Sequence, residues 1–350
     1  MLYNTKNPHG GDIYGGGVEL DFSANINPFG TPEGVKAAVC ACAGELFRYP
    51  DPYCRKLVSA IAEHECVPKE YVLCGGGAAE LIYAFCAAVK PKRVVEPAPT
   101  FAEYSLPLSG ARIERFFLRE EEEFALSGAF LGFVEAAAPD AVFLCDPNNP
   151  TGRAAEPELV LKLAELCKRL GARLFLDECF MDLSSKGASF VPRLSSFPNT
   201  LVLKAFTKSY GLAGVRLGYA LGADPALLYE MARAVQPWNV SSVAQAAGLA
   251  ALKETGFLEK TRALIENERP ALASGLREAG CRVFDSDVNF LLFKGPGGLE
   301  ARLEERGIKL RNCGNFHGLT NEFHRAAVKL PAENRRLVEA VKECMKWQRT

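Results

Sequence analysis

A lysine and an aspartate that follow apolar runs are the first candidates for chemistry in this chain. Lys208 comes shortly after the run TLVLKAF (200–206), and Asp177 ends the run RLFLD (173–177). A lysine amine can form an imine with an aldehyde, and a carboxylate at the end of a buried strand needs a positively charged partner. That partner could be a structural arginine or a bound cationic ring. Lys204 competes as the reactive lysine, but it lies inside the predicted strand, so we favour Lys208.

Groups that could hold an anion and a polar ring lie at the ends of neighbouring runs. A glycine turn opens a predicted helix after YVLC (71–74), where the backbone can approach a ligand closely and the helix N-terminus attracts negative charge. Asn149 lies in DPNNPTG (146–152), a segment that alone indicates only a turn. Arg216, eight residues after Lys208 and beyond a glycine-rich turn, could add a positive charge to such an anion site.

Together these segments meet the needs of pyridoxal 5'-phosphate, although each is a weak signal alone. A lysine forms the imine, and a carboxylate keeps the ring nitrogen protonated so that the ring can accept electrons. An amide holds the phenolic oxygen, and a glycine turn with an arginine binds the phosphate. Ligands of open α/β sheets bind beyond the carboxyl ends of the strands. The sequence therefore predicts this cofactor at one edge of a sheet.

The elements that must position these residues alternate short apolar strands with helices. Such strands, separated by helices, predict a mainly parallel sheet that is covered on both faces. We predict strands at 71–74, 93–97, 141–145, 173–177 and 200–206, and helices at 33–46, 78–89 and 156–170. Thr31 is the expected N-cap of the first helix, with Pro32 at its first position.

The chain divides into three predicted parts. Residues 1–48 form an N-terminal arm and part of a small domain, residues 49–237 form the large cofactor-binding domain, and residues 238–350 form the C-terminal small domain. This last part predicts an α+β arrangement, with a long helical stretch (241–279), strands near 282–293, 308–311 and 324–330, and a final helix at 332–347. The expected fold class is α/β, with the mainly parallel sheet in the large domain.

Composition argues against several other classes of protein. The formal net charge is −1 and no basic segment is present, so we expect no nucleic-acid partner. The 12 cysteines contain no C-x-x-C pair, which indicates reduced structural thiols rather than a metal site. No apolar leader and no run of about 18 apolar residues is present, which predicts a cytoplasmic protein without membrane contact.

The chain resembles the fold-type I pyridoxal-phosphate enzymes, in the branch of histidinol-phosphate aminotransferase. Within that branch it is most similar to the threonine-phosphate decarboxylases of cobalamin biosynthesis, and HGG (9–11) and DFSANINPFG (21–30) carry this closer likeness. The resemblance implies the aspartate aminotransferase-like fold of pyridoxal-phosphate-dependent transferases. It covers nearly the whole chain, through RYPDPY (48–53), PTFAEY (99–104), PNNPTG (147–152), LDECF (176–180), FTKSYGLAGVRLGY (206–219), QPWNV (236–240) and RNCGNFHGL (311–319).

The resemblance also implies a role for each cofactor-site residue. Lys208 forms the imine and moves protons at Cα, Asp177 pairs with the pyridine nitrogen, and Asn149 bonds the phenolic oxygen. Tyr104 would stack on the ring, unless it is an ordinary core tyrosine. The phosphate would bind Gly76, Gly77, Ala78, Thr207 and Arg216. Tyr49 would reach the same phosphate from a partner subunit, which implies a homodimer with shared active sites.

Substrate contacts are carried over in the same way. Arg325 would grip the α-carboxylate of a small O-phospho amino acid, while Arg311 and His9, helped by Asn27, would bind its phosphate. Gly10 and Asn149 complete the implied substrate site. The alternatives are a solvated Arg311 on the face of a strand and a His9 without a role.

One departure from the aminotransferases bears on the reaction. They usually carry a tyrosine where this chain has Phe180, and the decarboxylase group also has phenylalanine there. The implied reaction is decarboxylation of L-threonine O-3-phosphate to (R)-1-aminopropan-2-ol O-2-phosphate and carbon dioxide. Transamination of histidinol phosphate or a similar amino acid, decarboxylation of O-phosphoserine, and a non-catalytic regulator that binds the cofactor remain as alternatives.

Overall fold

The protein is described by a computed structural model that covers residues 9–346, and Trp347, the expected end of the last helix, lies outside that range. Its strands are β1 (Leu20–Asp21), β2 (Val72–Gly75), β3 (Arg93–Ala98), β4 (Arg112–Phe117), β5 (Ala141–Cys145), β6 (Arg173–Asp177), β7 (Thr200–Ala205), β8 (Gly218–Gly222), β9 (Arg282–Val283), β10 (Phe290–Lys294), β11 (Ile308–Lys309), β12 (Arg311–Asn312) and β13 (Phe323–Ala327). Its helices are α1 (Glu33–Cys42), α2 (Arg55–His64), α3 (Ala78–Val89), α4 (Ala129–Ala137), α5 (Pro157–Leu170), α6 (Phe206–Ser209), α7 (Pro225–Ala234), α8 (Ser242–Ala251), α9 (Phe257–Glu278), α10 (Leu299–Glu304) and α11 (Pro331–Lys346).

A seven-stranded sheet in the order β2-β8-β7-β6-β5-β3-β4 forms the centre of the molecule. Every neighbouring pair is parallel except the two that involve β8. This confirms the predicted mainly parallel sheet. The carboxyl ends of β2, β3, β5, β6 and β7 consequently meet at one edge, as the site prediction requires.

Alternate side chains of the buried strands serve two separate cores. Val142, Leu144 and Leu176 pack on one face of the sheet, in the same apolar cluster as residues of α1, α2, α5 and α8. Phe143 and Phe175 point to the other face and pack with residues of α3 and α7. Because side chains alternate along a strand, a run that is apolar at every position must be covered on both sides.

Two smaller sheets join the ends of the chain. The antiparallel order β12-β13-β10-β9 lies in the C-terminal part, and β1 pairs in parallel with β11. Phe22 shares an apolar core with residues of α9 and α11, so the N-terminal arm packs with the C-terminal part. The division at residues 48 and 237 stays a prediction. Residues of α8 share the core of the large sheet although they lie beyond 237.

Several local expectations differ from the structure. The helical stretch expected at 241–279 consists of α8 and α9, which are separated at Gly256, a residue with φ +75°. Thr31 does not cap α1, because its hydroxyl donates to the carbonyl oxygen of Gly211 at 2.8 Å. β4 and β8 were not among the predicted strands. Among residues 9–346, no helix is both long enough and apolar enough to cross a bilayer.

Candidate active site

One cavity of about 220 Å³ lies at the edge of the sheet where the parallel strands end. Residues at or just after the ends of β5, β6 and β7 contribute to its wall, together with residues of the arm and of β12 and β13. The predicted site residues that contribute to its wall are His9, Gly10, Ala78, Asn149, Asp177, Thr207, Lys208, Arg216, Arg311 and Arg325. The fold therefore brings together residues that are up to about three hundred positions apart in the chain.

Lys208 lies in the short helix α6, directly after the central strand β7. Burial lowers the pKa of its amine to about 8, and the positive charges of Arg325 and Arg216 act in the same direction. A lysine with a lowered pKa is more often neutral near neutral pH, and only the neutral amine is a nucleophile. The position and the charge environment both suit imine formation.

Asp177 is buried at the end of β6 and accepts two hydrogen bonds. The hydroxyl of Tyr104 donates to Oδ2 at 2.7 Å, and the backbone N–H of Cys179 donates to Oδ1 at 2.9 Å. Burial raises the pKa of this carboxyl, while both hydrogen bonds lower it. Within residues 9–346, no positively charged side chain forms an ion pair with Asp177. A bound cationic ring would supply the partner that a buried carboxylate needs.

The structure places Tyr104 outside the wall of the cavity, so its predicted stacking on a cofactor ring stays a prediction. Its ring is fully buried below the cavity, where it stacks on Phe143 with a centroid distance of 5.3 Å. Phe101, three residues earlier, lines the cavity instead and packs edge-on against Tyr104. Phe101 is therefore the aromatic side chain of this segment that lines the cavity, and Tyr104 donates a hydrogen bond to Asp177. The position of Phe101 just after β3 could have indicated this role.

Asn149 and Arg325 form one hydrogen-bonded unit. Nη1 of Arg325 donates to Oδ1 of Asn149 at 2.5 Å, and Nη2 donates to the carbonyl oxygen of Ser23 at 2.8 Å. Because the amide oxygen of Asn149 is engaged, its NH₂ group is left to donate to a ligand. Arg325 Nε is buried without a hydrogen-bond partner among the described residues.

The glycine turn before α3 lies partly outside the cavity wall. The N–H of Gly76 donates to Oε2 of Glu80 at 2.6 Å, and the N–H of Gly77 donates to the carbonyl oxygen of Gly75 at 2.7 Å. Neither glycine lines the cavity, whereas Ala78 and Ala79 do. These two alanines begin α3, where the backbone N–H groups lack partners within the helix. Of the predicted phosphate-binding residues Gly76, Gly77 and Ala78, only Ala78 lines the cavity, together with Ala79, and the contact with a phosphate stays a prediction.

The glycines of this turn allow close packing. A side chain at Gly77 would come within 2.7 Å of Nη2 of Arg216, and Gly77 itself has φ +99°. The guanidinium of Arg216 thus lies against the turn and contributes to the wall of the cavity. Thr207 lines the same region. The amides of α3, a hydroxyl and a guanidinium suit a phosphate dianion.

His9, Arg311 and Phe316 form the outer wall of the cavity. Nη2 of Arg311 donates to Oδ1 of Asn315 at 2.6 Å, and its guanidinium lies 5.2 Å from the ring centroid of Phe316. Nε2 of His9 contacts Oε1 of Glu103 at 2.5 Å. Arg311 and Arg325 are register partners on β12 and β13, so both arginines face the cavity from neighbouring strands.

Asn27 lies outside the wall of the cavity, where it is 3% exposed. Its Nδ2 donates to the carbonyl oxygen of Ser209 and to the hydroxyl of Thr261, at 2.7 and 2.9 Å. Asn27 thus contacts the residue after Lys208 and a residue of α9, and its predicted contact with the substrate phosphate stays a prediction. Ser23 and Asn25 of the same segment line the cavity instead.

Tyr49 and Phe180 complete the predicted set. Tyr49 is 80% exposed, lies outside the cavity of its own chain, and stacks on Trp238 with a centroid distance of 4.7 Å. Its contact across a subunit interface stays a prediction. Phe180 lines the cavity and packs edge-on against Phe290 at 5.0 Å. The site therefore has no hydroxyl at position 180 to donate to the ring oxygen of a cofactor.

Comparison with known proteins agrees with this fold and site. The family described as aminotransferase class I and II matches residues 18–341, and the chain belongs to this family. The family is pyridoxal-phosphate-dependent. The N-terminus of α3 at Ala78 and Ala79, the carboxylate of Asp177 and the amine of Lys208 fit the phosphate, the ring nitrogen and the aldehyde of that cofactor. The crystal structure of histidinol-phosphate aminotransferase from Clostridium acetobutylicum superposes with a TM-score of 0.86 at 26% identity, covering 93% of this chain and 99% of that one. The predicted aspartate aminotransferase-like fold is thereby confirmed.

Two curated relatives define the branch more closely. Threonine-phosphate decarboxylase of Salmonella typhimurium is 36% identical over 98% of this chain and 98% of the relative. Histidinol-phosphate aminotransferase of Caldanaerobacter subterraneus is 32% identical, with 92% of each chain covered. The predicted resemblance to this branch is confirmed.

Proposed function

We propose that this chain decarboxylates L-threonine O-3-phosphate, releasing (R)-1-aminopropan-2-ol O-2-phosphate and carbon dioxide. The observation that carries the proposal is the pair of arginines, Arg311 and Arg325, on neighbouring strands of the cavity that also holds Lys208. Two separate cations match a substrate with two anionic groups, a carboxylate and a phosphate. The similarity to a threonine-phosphate decarboxylase along nearly the whole chain supports the same choice.

The cofactor would be held by residues whose chemistry fits each of its parts. Lys208 would bind its aldehyde carbon, Asp177 its ring nitrogen, Asn149 its phenolic oxygen, and the turn at Ala78 and Ala79 its phosphate. When bound, pyridoxal phosphate supplies a protonated ring that accepts the electron pair left on Cα when a bond to Cα breaks.

The chain's own groups would decide which bond to Cα breaks. Arg325 is anchored to Ser23 and Asn149, so it can hold the substrate carboxylate in a fixed direction relative to Lys208. The carboxylate leaves as carbon dioxide, and the Cα–carboxylate bond is replaced by a bond to a proton. The Lys208 amine, with its lowered pKa, would deliver that proton to Cα. One proton is consumed for each carbon dioxide released.

Phe180 supports decarboxylation over transamination. A tyrosine at this position would donate a hydrogen bond to the ring oxygen and change the basicity of the nitrogen on Lys208. The phenylalanine ring packs on Phe290 and cannot donate. Transamination of histidinol phosphate or a related amine is the second candidate, because a relative of that name is 32% identical.

Product analysis with a panel of O-phospho amino acids tests the proposal. Phosphothreonine, phosphoserine and histidinol phosphate would each be incubated with the loaded enzyme, with and without 2-oxoglutarate. Steady release of carbon dioxide from phosphothreonine without a keto acid is the expected result. Turnover that requires 2-oxoglutarate would establish the aminotransferase instead, and a preference for phosphoserine would change the substrate. Lys208→Ala is the negative control, and no turnover of any amine by the wild-type protein would favour a regulator.

The biological setting is part of the same proposal. We infer a cytoplasmic homodimer that acts in cobalamin biosynthesis, with Tyr49 completing the phosphate site of the partner subunit. The exposed apolar side chains near Tyr49 support an interface there; they are Leu46, Phe47, Tyr53 and Trp238. Light scattering of wild type and Tyr49→Ala, together with their affinity for the cofactor, tests this part. A monomeric wild type, or a Tyr49→Ala variant with unchanged cofactor affinity, would contradict it.

A further inference from the structure

Asn27 lies directly behind the segment that carries Lys208. Its backbone N–H donates to the carbonyl oxygen of Lys208 at 3.1 Å, and its Nδ2 donates to the carbonyl oxygen of Ser209 at 2.7 Å. The side chain is 3% exposed. One residue of the N-terminal segment thus holds two consecutive carbonyl groups of the lysine segment.

The amide of Asn27 is itself fixed in orientation. Its Oδ1 accepts from the N–H of Phe29 at 2.9 Å, and Nδ2 also donates to the hydroxyl of Thr261 at 2.9 Å. The Thr261 hydroxyl donates in turn to the carbonyl oxygen of Phe257, within α9. Because Oδ1 and Nδ2 both have defined partners, the side-chain amide has a single orientation, with its NH₂ group directed toward Ser209 and Thr261.

The helix α6 needs such support because it is only four residues long. The last carbonyl groups of a helix have no partners within it, and one turn gains little from helix cooperativity. Asn27 satisfies two of these carbonyl groups. On the other side of the segment, the hydroxyl of Ser209 donates to Oδ2 of Asp182 at 3.1 Å, and Asp182 forms an ion pair with Lys204 at 3.2 Å.

We propose that Asn27 is a positioning residue for Lys208. By holding the Lys208 and Ser209 carbonyl groups it sets the direction in which the lysine side chain leaves the backbone, and hence where the amine meets Cα. This role differs from a contact with the substrate phosphate, and it rests on the proposed function of Lys208. A small error in the direction of a reacting group lowers the rate more than the affinity, because substrate is held by other residues.

Kinetics of Asn27→Ala and of two milder variants test the proposal. Asn27→Ala should lower kcat for phosphothreonine by about 10-fold or more while KM changes little, since one buried hydrogen bond to the lysine segment is lost. Thr261→Val leaves the Ser209 contact in place and should cause a smaller fall in kcat, and Thr261→Ser should behave as wild type. Asn267→Ala, a change on the exposed face of α9, is the matched control.

A second measurement separates positioning from general loss of structure. Hydrogen exchange of residues 206–211 in the full-length, cofactor-free protein should be faster in Asn27→Ala and Thr261→Val, with exchange of the strands β5 and β6 unchanged. If Asn27→Ala does not fold, the Thr261 variants and Asn27→Asp decide the question. Asn27→Asp keeps the acceptor for Phe29 but loses both donors, so it should also lower kcat.

Two outcomes would overturn the proposal. A rise in KM for phosphothreonine at unchanged kcat would make Asn27 a substrate ligand, and unchanged exchange at 206–211 would remove its link to Lys208. Failure of the proposed function gives a different result. If Lys208 is not the imine-forming lysine, borohydride trapping of the wild-type enzyme would place no cofactor on it, and if the enzyme is an aminotransferase, wild-type turnover would require 2-oxoglutarate. Failure of this inference alone leaves the trapped peptide and the carbon dioxide release of the wild-type enzyme intact.

Discussion

The hydroxyl of Tyr104 donates a hydrogen bond of 2.7 Å to Oδ2 of Asp177, below the floor of the cavity. The two residues come from different strand ends, and both are buried. A hydrogen bond to the ionised form of a carboxyl favours that form, so Tyr104 opposes the effect of burial on the pKa of Asp177. It helps to keep the negative charge that a pyridine nitrogen requires.

Replacing Tyr104 with phenylalanine should therefore slow the reaction without emptying the cofactor site. Loss of a hydrogen bond to a charged group costs about 1.5–3 kcal/mol, which corresponds to a fall in kcat of roughly 10- to 100-fold. The pKa of Asp177 rises further, so the acid limb of the kcat profile should move to higher pH. Tyr83→Phe, at a half-exposed position, is the control. An unchanged profile would show that the hydroxyl does not act through Asp177.

Asp177→Ala should have a larger effect, because the electron sink is lost together with the negative charge. We expect the cofactor to remain attached and kcat to fall by at least the range given for Tyr104→Phe. The measurement is turnover of phosphothreonine combined with absorbance of the attached cofactor. Full activity of the variant would contradict the assigned site.

The pKa of Lys208 predicts how cofactor loading depends on pH. Burial lowers this pKa to about 8, so the rate of imine formation should rise as pH increases toward 8 and level off above it. Arg325→Met removes a nearby positive charge, which should raise the pKa of Lys208 and move the profile to higher pH. Arg325→Lys keeps the charge and should leave the profile near that of wild type. Stopped-flow absorbance after the cofactor is added to the cofactor-free protein gives the pH profile of imine formation for wild type and for both variants. The same profile in all three proteins would show that the charge of Arg325 does not lower the pKa of Lys208.

Arg311 should contribute to the affinity for the substrate phosphate. Arg311→Ala should weaken binding of phosphothreonine by about 2–4 kcal/mol, because a charged group then lacks its partner. Binding of threonine itself should change much less. Arg193→Ala, on the surface, serves as control. Equal losses for the two amino acids would assign Arg311 a structural role.

Gly10 should control how the arm meets the cavity. A side chain at this position would overlap the carbonyl oxygen of Ser23, which accepts a hydrogen bond from Arg325. Gly10→Ala should therefore displace His9 and raise KM for phosphothreonine by about 10-fold, the equivalent of ~1.4 kcal/mol. Gly15→Ala has open space around it and should have no effect. Steady-state kinetics of both variants would show whether the arm takes part.

Asp146 should make the protein less stable as the pH rises from acidic to neutral. Burial, together with the charges of Glu178 and Asp287, raises its pKa from 3.8 to about 7. The folded state therefore holds the proton more tightly than the unfolded state, and stability falls as pH rises from about 4 to about 7. Asp146→Asn cannot ionise, so its stability relative to wild type should increase between pH 5 and pH 8 by about 1–3 kcal/mol.

Urea unfolding at the two pH values measures this difference. Asp140→Asn is an informative contrast, because backbone N–H groups of Lys92 and Arg93 lower the pKa of Asp140. For that residue the sign is reversed, and the stabilising contribution is lost as pH falls through the lowered pKa. A pH-independent difference for Asp146→Asn would show that folding does not raise the pKa of Asp146.

The sequence alone was enough to locate most of the cavity. Buried parallel strands are apolar at every position, and ligands gather at their carboxyl ends, so Lys208, Asp177 and Asn149 could be placed from local pattern. The bounds of β5, β6 and α3 were predicted without error for the same reason. The resemblance added the roles of Arg311 and Arg325, which no local pattern indicates.

Side-chain direction was decided only by the tertiary structure. Tyr104 and Phe101 lie on one short segment, and packing against Phe143 turns the tyrosine inward while the phenylalanine faces the cavity. Asn27 lies close to Lys208 only because the N-terminal segment crosses behind α6. The carboxylate of Glu80 accepts a hydrogen bond from the N–H of Gly76, so this N–H is not available to a ligand. Residue order specifies which groups are available. Which group meets the ligand depends on contacts between segments far apart in the chain, since each buried polar atom takes the partner that the packed fold brings to it.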